Sequence, residues 1–407
     1  MFEVSIIIPS YNRYPLNLHS LHALENQTFD LSKMEIIFID DASTDNTPQL
    51  KNYNPPFRFH YVRNETNKGL ATSRNIGFKM AQANIIIFLD AEIIVDPDYV
   101  KNQYRFHLTN EQAVVVGRNT PKVYTYLFPE FNFAQINEIC DLAHNSLIAK
   151  QRLNLRLRQD LTDIDLRAYI KNLKDSIQLL DQKDMKDFSQ FKSFSVPNTY
   201  YQNLFEQLGD NLDKRYLSWW CLFGFNHSLK KNLFSAVGGY DENFKGWGPE
   251  DAEFSYRLYK AGAKFIFDPH STLYHQEHPI SANKSQEGYK NRILFQQKHP
   301  LIDVCIRSLK YIERLDLQFV DMVLQDHDCL CHDFPERFED FKNSIVFMLQ
   351  QIHILKSQKK PVCNFLQSSG ITDDSEWKER IFSERNVVET YGKYSNLVQL
   401  FDLLASK

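Results

Sequence analysis

A chain of 407 residues with a formal charge of −4, 24% charged and 43% apolar side chains can hold one large core and a second unit. This ordinary globular composition has no basic excess to recommend a nucleic-acid partner, and no apolar run approaches the ~20 residues that cross a bilayer. Six cysteines at unrelated spacings, behind an N-terminus that leads straight into an apolar run, point to a reducing cytoplasm, with any membrane contact peripheral.

From residue 4 to residue 117 short apolar runs alternate with helical patterns. The runs at 4–9, 35–40, 57–62, 85–89 and 113–117 are continuous, as strands covered on both faces are, and predict an α/β unit with a mostly parallel sheet. Ligands of such sheets sit at the carboxyl ends of the strands. Three groups fall there: Pro9 to Asn12, Asp40 with Asp41, and Asp90 with Glu92. Tyr11 is placed to stack on a base, and an acid at 40–41 to accept a hydrogen bond from a base imide or a ribose hydroxyl. Lys68-Gly69 opens a helix with Arg74 one turn in, directed either at a base and phosphates or at a neighbouring Asp. Asp90 and Glu92 offer two hard oxygen donors that suit Mg2+ or Mn2+ bridging to phosphate.

Residues 124–214 change to a long, charged helical pattern, with Leu166, Ile170, Leu173, Ile177 and Leu180 at spacings of three and four. The segment reads as a helical insertion, either an amphipathic pair packed on the main domain or an arm for an acceptor or for homo-oligomerisation. Strand-like sequence returns at 219–227 and 264–268, with a helix at 249–261 between them. Glu250 and Asp251 open that helix, where the positive dipole end favours carboxylates. Before them Gly246-Trp247-Gly248-Pro249 sets an aromatic on a glycine-hinged loop, a platform for a sugar face beside a base able to take a hydroxyl proton. His275, at the end of a further strand pattern, can complete a metal shell that two carboxylates leave open. Beyond His278 the chain is helical, with Phe338, Phe341, Ile345, Leu349 and Ile352 on one face and Tyr394, Leu397, Phe401 and Leu404 on another. The acids, histidines and cysteines of 326–332 match no usual zinc spacing.

Val4 through Asn12, Ile39 through Asp45, and Asn67-Lys68-Gly69 with Arg74-Asn75 resemble the inverting nucleotide-sugar glycosyltransferases of family 2. That family has the GT-A fold, a Rossmann-like nucleotide-sugar transferase domain, and the resemblance covers residues 4–117 and 219–279. Gly238-Gly239-Tyr240-Asp241-Glu242, followed by Gly246 to Asp251, is similar to chondroitin polymerases, β-1,4-galactosyltransferases and polypeptide N-acetylgalactosaminyltransferases.

The resemblance implies Asp41 for uridine, Asp90 and Glu92 for the metal, and Asp251 for deprotonation. His275 follows Glu250 by the interval that carries the metal histidine in the last of those groups, which favours it over His270 and His278. Three departures stand out: Glu92 replaces the commoner Asp, Pro249 replaces a usual Gly, and Asp251 stands where retaining enzymes carry Asn, which favours inversion.

The expectation is a metal-dependent transferase using Mn2+ or Mg2+. It moves a hexose or N-acetylhexosamine from a UDP-sugar to a hydroxyl of a glycan, lipid-linked or protein acceptor. Pro9, Tyr11, Asp41, Arg74, Asp90 and Trp247 line the donor, and Glu250 holds a hydroxyl beside Asp251. The expected parts are a nucleotide-binding half at 1–123, the helical insertion at 124–214, a catalytic half at 215–285 and a helical C-terminal module at 286–407. A nucleotidyltransferase would also join a sheet to paired acids, but residues 9–14 lack the glycine-rich phosphate loop. A non-catalytic carbohydrate-binding protein would have no reason to keep Asp41, Asp90, Glu92 and Asp251 together.

Overall fold

The computed structural model describes residues 1–161, 165–186, 188–209, 216–281, 284–312, 316–373 and 375–407. The chain forms two compact units: Met1–Glu206 with Trp219–Asn243 and Glu250–Ala282, and Gln207–Ser218 with Phe244–Pro249 and Asn283–Lys407. The boundary expected between 214 and 215 lies outside the described residues.

The first unit is organised around one sheet. Its strands are β1 (Val4–Ser10), β2 (Met34–Asp40), β3 (Arg58–Arg63), β4 (Ile85–Leu89), β5 (Ile93–Val95), β6 (Ala113–Asn119), β7 (Lys122–Val123), β10 (Ser195–Val196), β11 (Asn226–Lys230) and β12 (Lys264–Gln276). Their order is β10-β7-β12-β6-β11-β4-β1-β2-β3, with β5 paired to β12 beside that path. β3, β2, β1 and β4 run parallel, β11 is antiparallel between β4 and β6, and β12 returns parallel to β6.

Period-two alternation explains why these runs look uniformly apolar. Ile6, Ile8, Ile36, Phe38, Ile87 and Leu89 share a core with Leu21, Leu24, Tyr99 and Val100 of the helices Leu16–Leu24 and Tyr99–His107. The intervening residues face the other way. A Cβ on Gly77, in the helix Leu70–Met80, would come 2.4 Å from Ile7, and Phe88 stacks on His227 and Phe234. With both sheet faces covered, no position in β1, β2 or β4 is left for a solvated side chain.

Two expectations for the middle of the chain fail for local reasons. The run from Leu166 to Leu180 is not one helix. Helix Leu166–Lys171 stops where Asn172 turns its side chain back to the Ala168 carbonyl at 2.8 Å. Ile177–Gln178 (β9) then pairs with Tyr126–Leu127 (β8). Leu166, Ile170, Leu179 and Leu180 nevertheless share one core with Phe191, Phe194, Ile94 and Tyr274, so this segment grows out of the sheet edge. The strand expected at 219–227 begins only at Asn226, because Ser218–Cys221 is a 3-10 turn whose Trp219 and Trp220 fill the core.

The second unit is helical in its described residues. Phe341, Ile345, Leu349 and Ile352 of the helix Glu339–Ser357 are buried, as are Leu397, Phe401 and Leu404 of the helix Ser395–Ala405. Asp326 caps the latter helix by accepting from the Asn396 amide at 2.8 Å, and the Tyr394 hydroxyl donates to Asp333 at 2.6 Å. No described helix is long and apolar enough to cross a membrane.

Candidate active site

The carboxyl ends of β1 and β2 are laced together by side-chain to backbone hydrogen bonds. Asn12, at a positive φ of 52°, accepts from the Thr44 amide at 2.8 Å, while its own amide donates to Ser43 Oγ at 3.0 Å. Asp45 accepts from the Tyr14 amide at 2.8 Å. Asp40 plays a structural part, buried at the end of β2 and accepting from the Ser43 amide, the Tyr61 hydroxyl and Arg63. Asp41 accepts from Asn64 Nδ2 at 2.6 Å and from the Lys68 and Gly69 amides at 2.9 and 2.8 Å. A carboxylate has about four acceptor positions, so one remains on Oδ2. Pro9 lies inside β1 opposite Ile39, and Tyr11 stands exposed just beyond the strand.

Arg74 is the centre of the site. Its guanidinium is buried, with Nη1 donating to Glu250 Oε1 at 3.0 Å and Nη2 to Asp90 Oδ1 at 2.8 Å. The two acids come from stretches some 160 residues apart in sequence. The Tyr240 ring lies 5.0 Å from the guanidinium carbon, and Tyr240 is fixed by Asn75, which accepts from its amide and donates to its carbonyl. Gly224 closes the other side, where a Cβ would come 2.4 Å from Nη2. Burial opposes the charge on Arg74, yet Tyr240, Asp90, Glu250 and Asp251 outweigh it and raise its pKa further. Arg74 is therefore held by acids at both ends of its fork.

Strand register delivers these groups. Asn226 pairs with Leu89, so the chain just before β11 runs past the end of β4 where Asp90 stands. There the Gly224 amide donates to Asp251 Oδ2 at 3.1 Å. Asp251 is half-buried in the first turn of the helix Glu250–Lys260, and its Oδ1 accepts from the Ala252 amide at 2.7 Å.

A second cluster forms two residues beyond Asp90. β5 pairs antiparallel with β12 so that Ile93 faces His275, which sets the imidazole beside Glu92. Ligand atoms of Glu92, His275 and His278 lie within 4.8 Å of one another. Glu92 carries Arg13 on one oxygen at 3.2 Å and His278 on the other at 3.3 Å. Burial works against the Glu92 charge, but Arg13 and His278 prevail and hold its carboxyl well below the ordinary range. His275 Nδ1 lies 3.4 Å from Glu277 Oε1, and Glu277 Oε2 in turn accepts from Gln135 at 3.0 Å. One carboxylate and two imidazoles, one of them backed by an acid, form a mixed oxygen and nitrogen donor set that fits a divalent transition-metal cation. Asp90 lies outside this trio, with one oxygen on Arg74, and burial pushes its carboxyl up despite that partner.

Trp247 belongs to the second unit. Its amide donates to Glu287 at 2.9 Å, and Lys284 and Arg292 lie 4.6 and 5.5 Å over its ring.

Glu250 has a testable signature. Burial, reinforced by Asp251 and opposed by Arg74, pushes its carboxyl up to about 7 from an ordinary 4.5. Between those values the folded chain holds a proton that the unfolded chain releases, so folding weakens as pH rises through the window. Below 4.5 both states are protonated and the penalty vanishes. Glu250→Gln cannot ionise. The variant's melting temperature is expected to gain on wild type between pH 5 and pH 8, and parallel pH profiles would refute the assignment.

Sequence reasoning set His278 aside in favour of His275 and gave no role to Arg13, Gly224 or Glu277. His278 and Glu277 carried a faint signal, since both sit within three residues of His275. Gly224, amid aromatic residues, carried none, because its role depends on two chain segments passing at backbone distance.

Comparison with known proteins matches two stretches of the chain. Residues 5–160 match the family profile described as glycosyl transferase family 2, and residues 209–279 match that described as the N-terminal domain of galactosyltransferase. A Bacillus subtilis protein named "Uncharacterized glycosyltransferase YfnE" is 27% identical over 298 residues, covering 72% of this chain and 69% of its own. Chondroitin synthase of Escherichia coli is 27% identical over 329 residues, 79% of this chain but 41% of that one. Validoxylamine A glucosyltransferase of Streptomyces hygroscopicus is 27% identical, with 64% and 52% covered. The chain thus spans about half the length of the last two. A crystal structure of S. aureus TarS, residues 1–349 with UDP-GlcNAc, superposes with a TM-score of 0.46 at 14% identity, covering 99% of this chain and 90% of that one. With its α/β sheet, its paired acids at the strand ends and these two profile matches, the chain is a glycosyltransferase whose residues 5–160 carry the family 2 profile.

Proposed function

We propose that this enzyme transfers a hexose or N-acetylhexosamine from a UDP-sugar to an acceptor hydroxyl with inversion, Asp251 taking the acceptor proton. The observation that carries the reading is the Arg74 fork, which holds Asp90 and Glu250 in one buried network with Asp251 next in the chain. Asp41, with one acceptor position left beside the Asn64 to Gly69 loop, suits the uracil imide, and Tyr11 beyond β1 suits the base. Glu92, His275 and His278 would hold Mn2+ or Mg2+, with Asp90 as a further carboxylate for the same cation; bound there, the cation would offset charge on the leaving diphosphate. Glu250 and Trp247 are assigned to substrate hydroxyls and to a sugar face.

Polysaccharide biosynthesis is the setting suggested by the likeness to chondroitin synthase. A cytoplasmic location, with any membrane contact peripheral, suits six cysteines that form no disulfide.

The test is UDP release from a panel of UDP-sugars with Mn2+ and no acceptor. Slow hydrolysis of one donor, abolished by chelation, is expected. At a hundred times its dissociation constant that donor should also stabilise the protein by about 2.7 kcal/mol. If no UDP-sugar is hydrolysed or bound with either cation, the reading fails.

Glu277 gives a finer check on the metal. Because it orients His275 through Nδ1, Glu277→Gln is expected to weaken Mn2+ binding by ~10–100-fold in a direct Mn2+ titration. Unchanged affinity would remove His275 from the ligand set.

A further inference from the structure

The second unit contains a concentration of positive charge that the transfer chemistry does not use. Arg292, on the helix Lys284–Lys298, lies 5.8 Å from the Tyr289 ring, 5.6 Å from the Tyr311 ring and 5.5 Å from the Trp247 ring. Lys310 Nζ lies 5.2 Å from the Tyr311 ring, and Lys284 Nζ lies 4.6 Å from Trp247. The Tyr289 and Tyr311 rings are themselves 5.8 Å apart. Behind Tyr311, at 5.3 Å, His353 is 3% exposed, with neither ring nitrogen hydrogen-bonded.

Among the described residues no carboxylate pairs with Arg292 or Lys310, and the nearby Glu287 is engaged by the Trp247 amide. The strain of this arrangement is visible in the titrating groups. Lost hydration of the ammonium, then repulsion from Arg307 and Arg292, pushes Lys310 down to about 7, although the residue as a whole keeps solvent access. Burial, then Arg292, Lys310 and Arg307, pushes His353 down to about 3, so it stays neutral.

We propose that Arg292 and Lys310, on a floor of Trp247, Tyr289 and Tyr311, form a site for an oxyanion group carried by the acceptor saccharide. The assignment rests on the transferase reading above. Guanidinium and ammonium supply charge-assisted hydrogen bonds to carboxylate or phosphate, while the Tyr and Trp faces pack against the C–H surface of a sugar or polyol chain. Half-buried Arg292, exposed Lys310 and 44% exposed Trp247 leave the cluster open to a ligand. An acidic acceptor therefore fits better than a neutral one.

The experiment titrates the full chain with three labelled oligosaccharides of equal length: one bearing hexuronates, one bearing phosphodiesters and one neutral. Each titration is run at low and high salt, with wild type and with Lys310→Gln and Arg292→Gln. At least one acidic oligosaccharide is expected to bind in a salt-sensitive way, and to bind roughly tenfold or more weakly to each variant; which acidic ligand binds identifies the oxyanion. Equal binding of the neutral ligand, unchanged affinity in both variants, or displacement of the acidic ligand by UDP would overturn the proposal.

Lys310→Gln should retain the melting temperature and the acceptor-free hydrolysis of the UDP-sugar. If wild type shows no such hydrolysis, the transferase reading is what fails. If hydrolysis stands and acidic ligands do not discriminate the variants, the oxyanion site fails alone.

Discussion

Asp251→Asn is expected to lower sugar transfer by ~10²–10⁴-fold while leaving UDP affinity at the wild-type value, because general-base catalysis is worth about that much. Asparagine keeps the size of aspartate, and its Oδ1 can go on accepting the Gly224 amide now found at 3.1 Å from the carboxylate. What it loses is the basic lone pair and, with one acceptor oxygen in place of two, the hydrogen bond from the Ala252 amide. The loop assigned to the nucleotide under the proposed function is anchored through Asp41 and the Lys68 and Gly69 amides, none of which touches Asp251.

The competing base is Glu250, whose carboxyl is raised to about 7, near the pH at which a base works well. Its Oε1 is committed to Arg74 at 3.0 Å and the side chain is buried, whereas Asp251 is half-exposed and bonded only to amides. Single-turnover rates for Asp251→Asn and Glu250→Gln separate the two. An active Asp251→Asn beside a dead Glu250→Gln would exchange the roles.

The strands were legible in the sequence because burial on both faces turns alternation into continuous apolar runs, as in Val4 to Pro9 and Ile85 to Leu89. The acids at their carboxyl ends were legible for the complementary reason: packing alone does not put Asp41, Asp90 and Glu92 there. Spacing misled where two structures share it. Leu166, Ile170, Leu173, Ile177 and Leu180 suit a helix, but Asn172 breaks it and the later residues join a short strand pair.

Arg74 left two readings open in the sequence, and the choice between them is three-dimensional. Its partners are Asp90, sixteen residues away, and Glu250, 176 residues away. His278 was hidden differently. It lies past the end of β12, so no strand pattern fixed its direction, and only the approach of Glu92 at 3.3 Å reveals it.

Arg74→Met should be the most destabilising single change at the site. Removing one partner of a buried charge network costs ~3–5 kcal/mol, because the remaining charges stay desolvated without compensation. Here two carboxylates, Asp90 and Glu250, would be left facing each other across the space the guanidinium filled. The loss is expected to be larger at pH 8 than at pH 5. Both carboxyls are already pushed up by burial, so lowering the pH neutralises them and relieves the repulsion that Arg74 otherwise balances.

Arg74→Lys keeps a charge but cannot span two acids with a planar fork, and should fall between wild type and Arg74→Met. Gly224→Ala attacks the same contact from the backbone side, since its Cβ would stand 2.4 Å from Arg74 Nη2 and force the guanidinium off Asp90. Denaturant unfolding of all three variants at both pH values supplies the measurement. Wild-type stability of Arg74→Met at pH 8 would mean that the acids are hydrated without the arginine, and the network would lose its claim to organise the site.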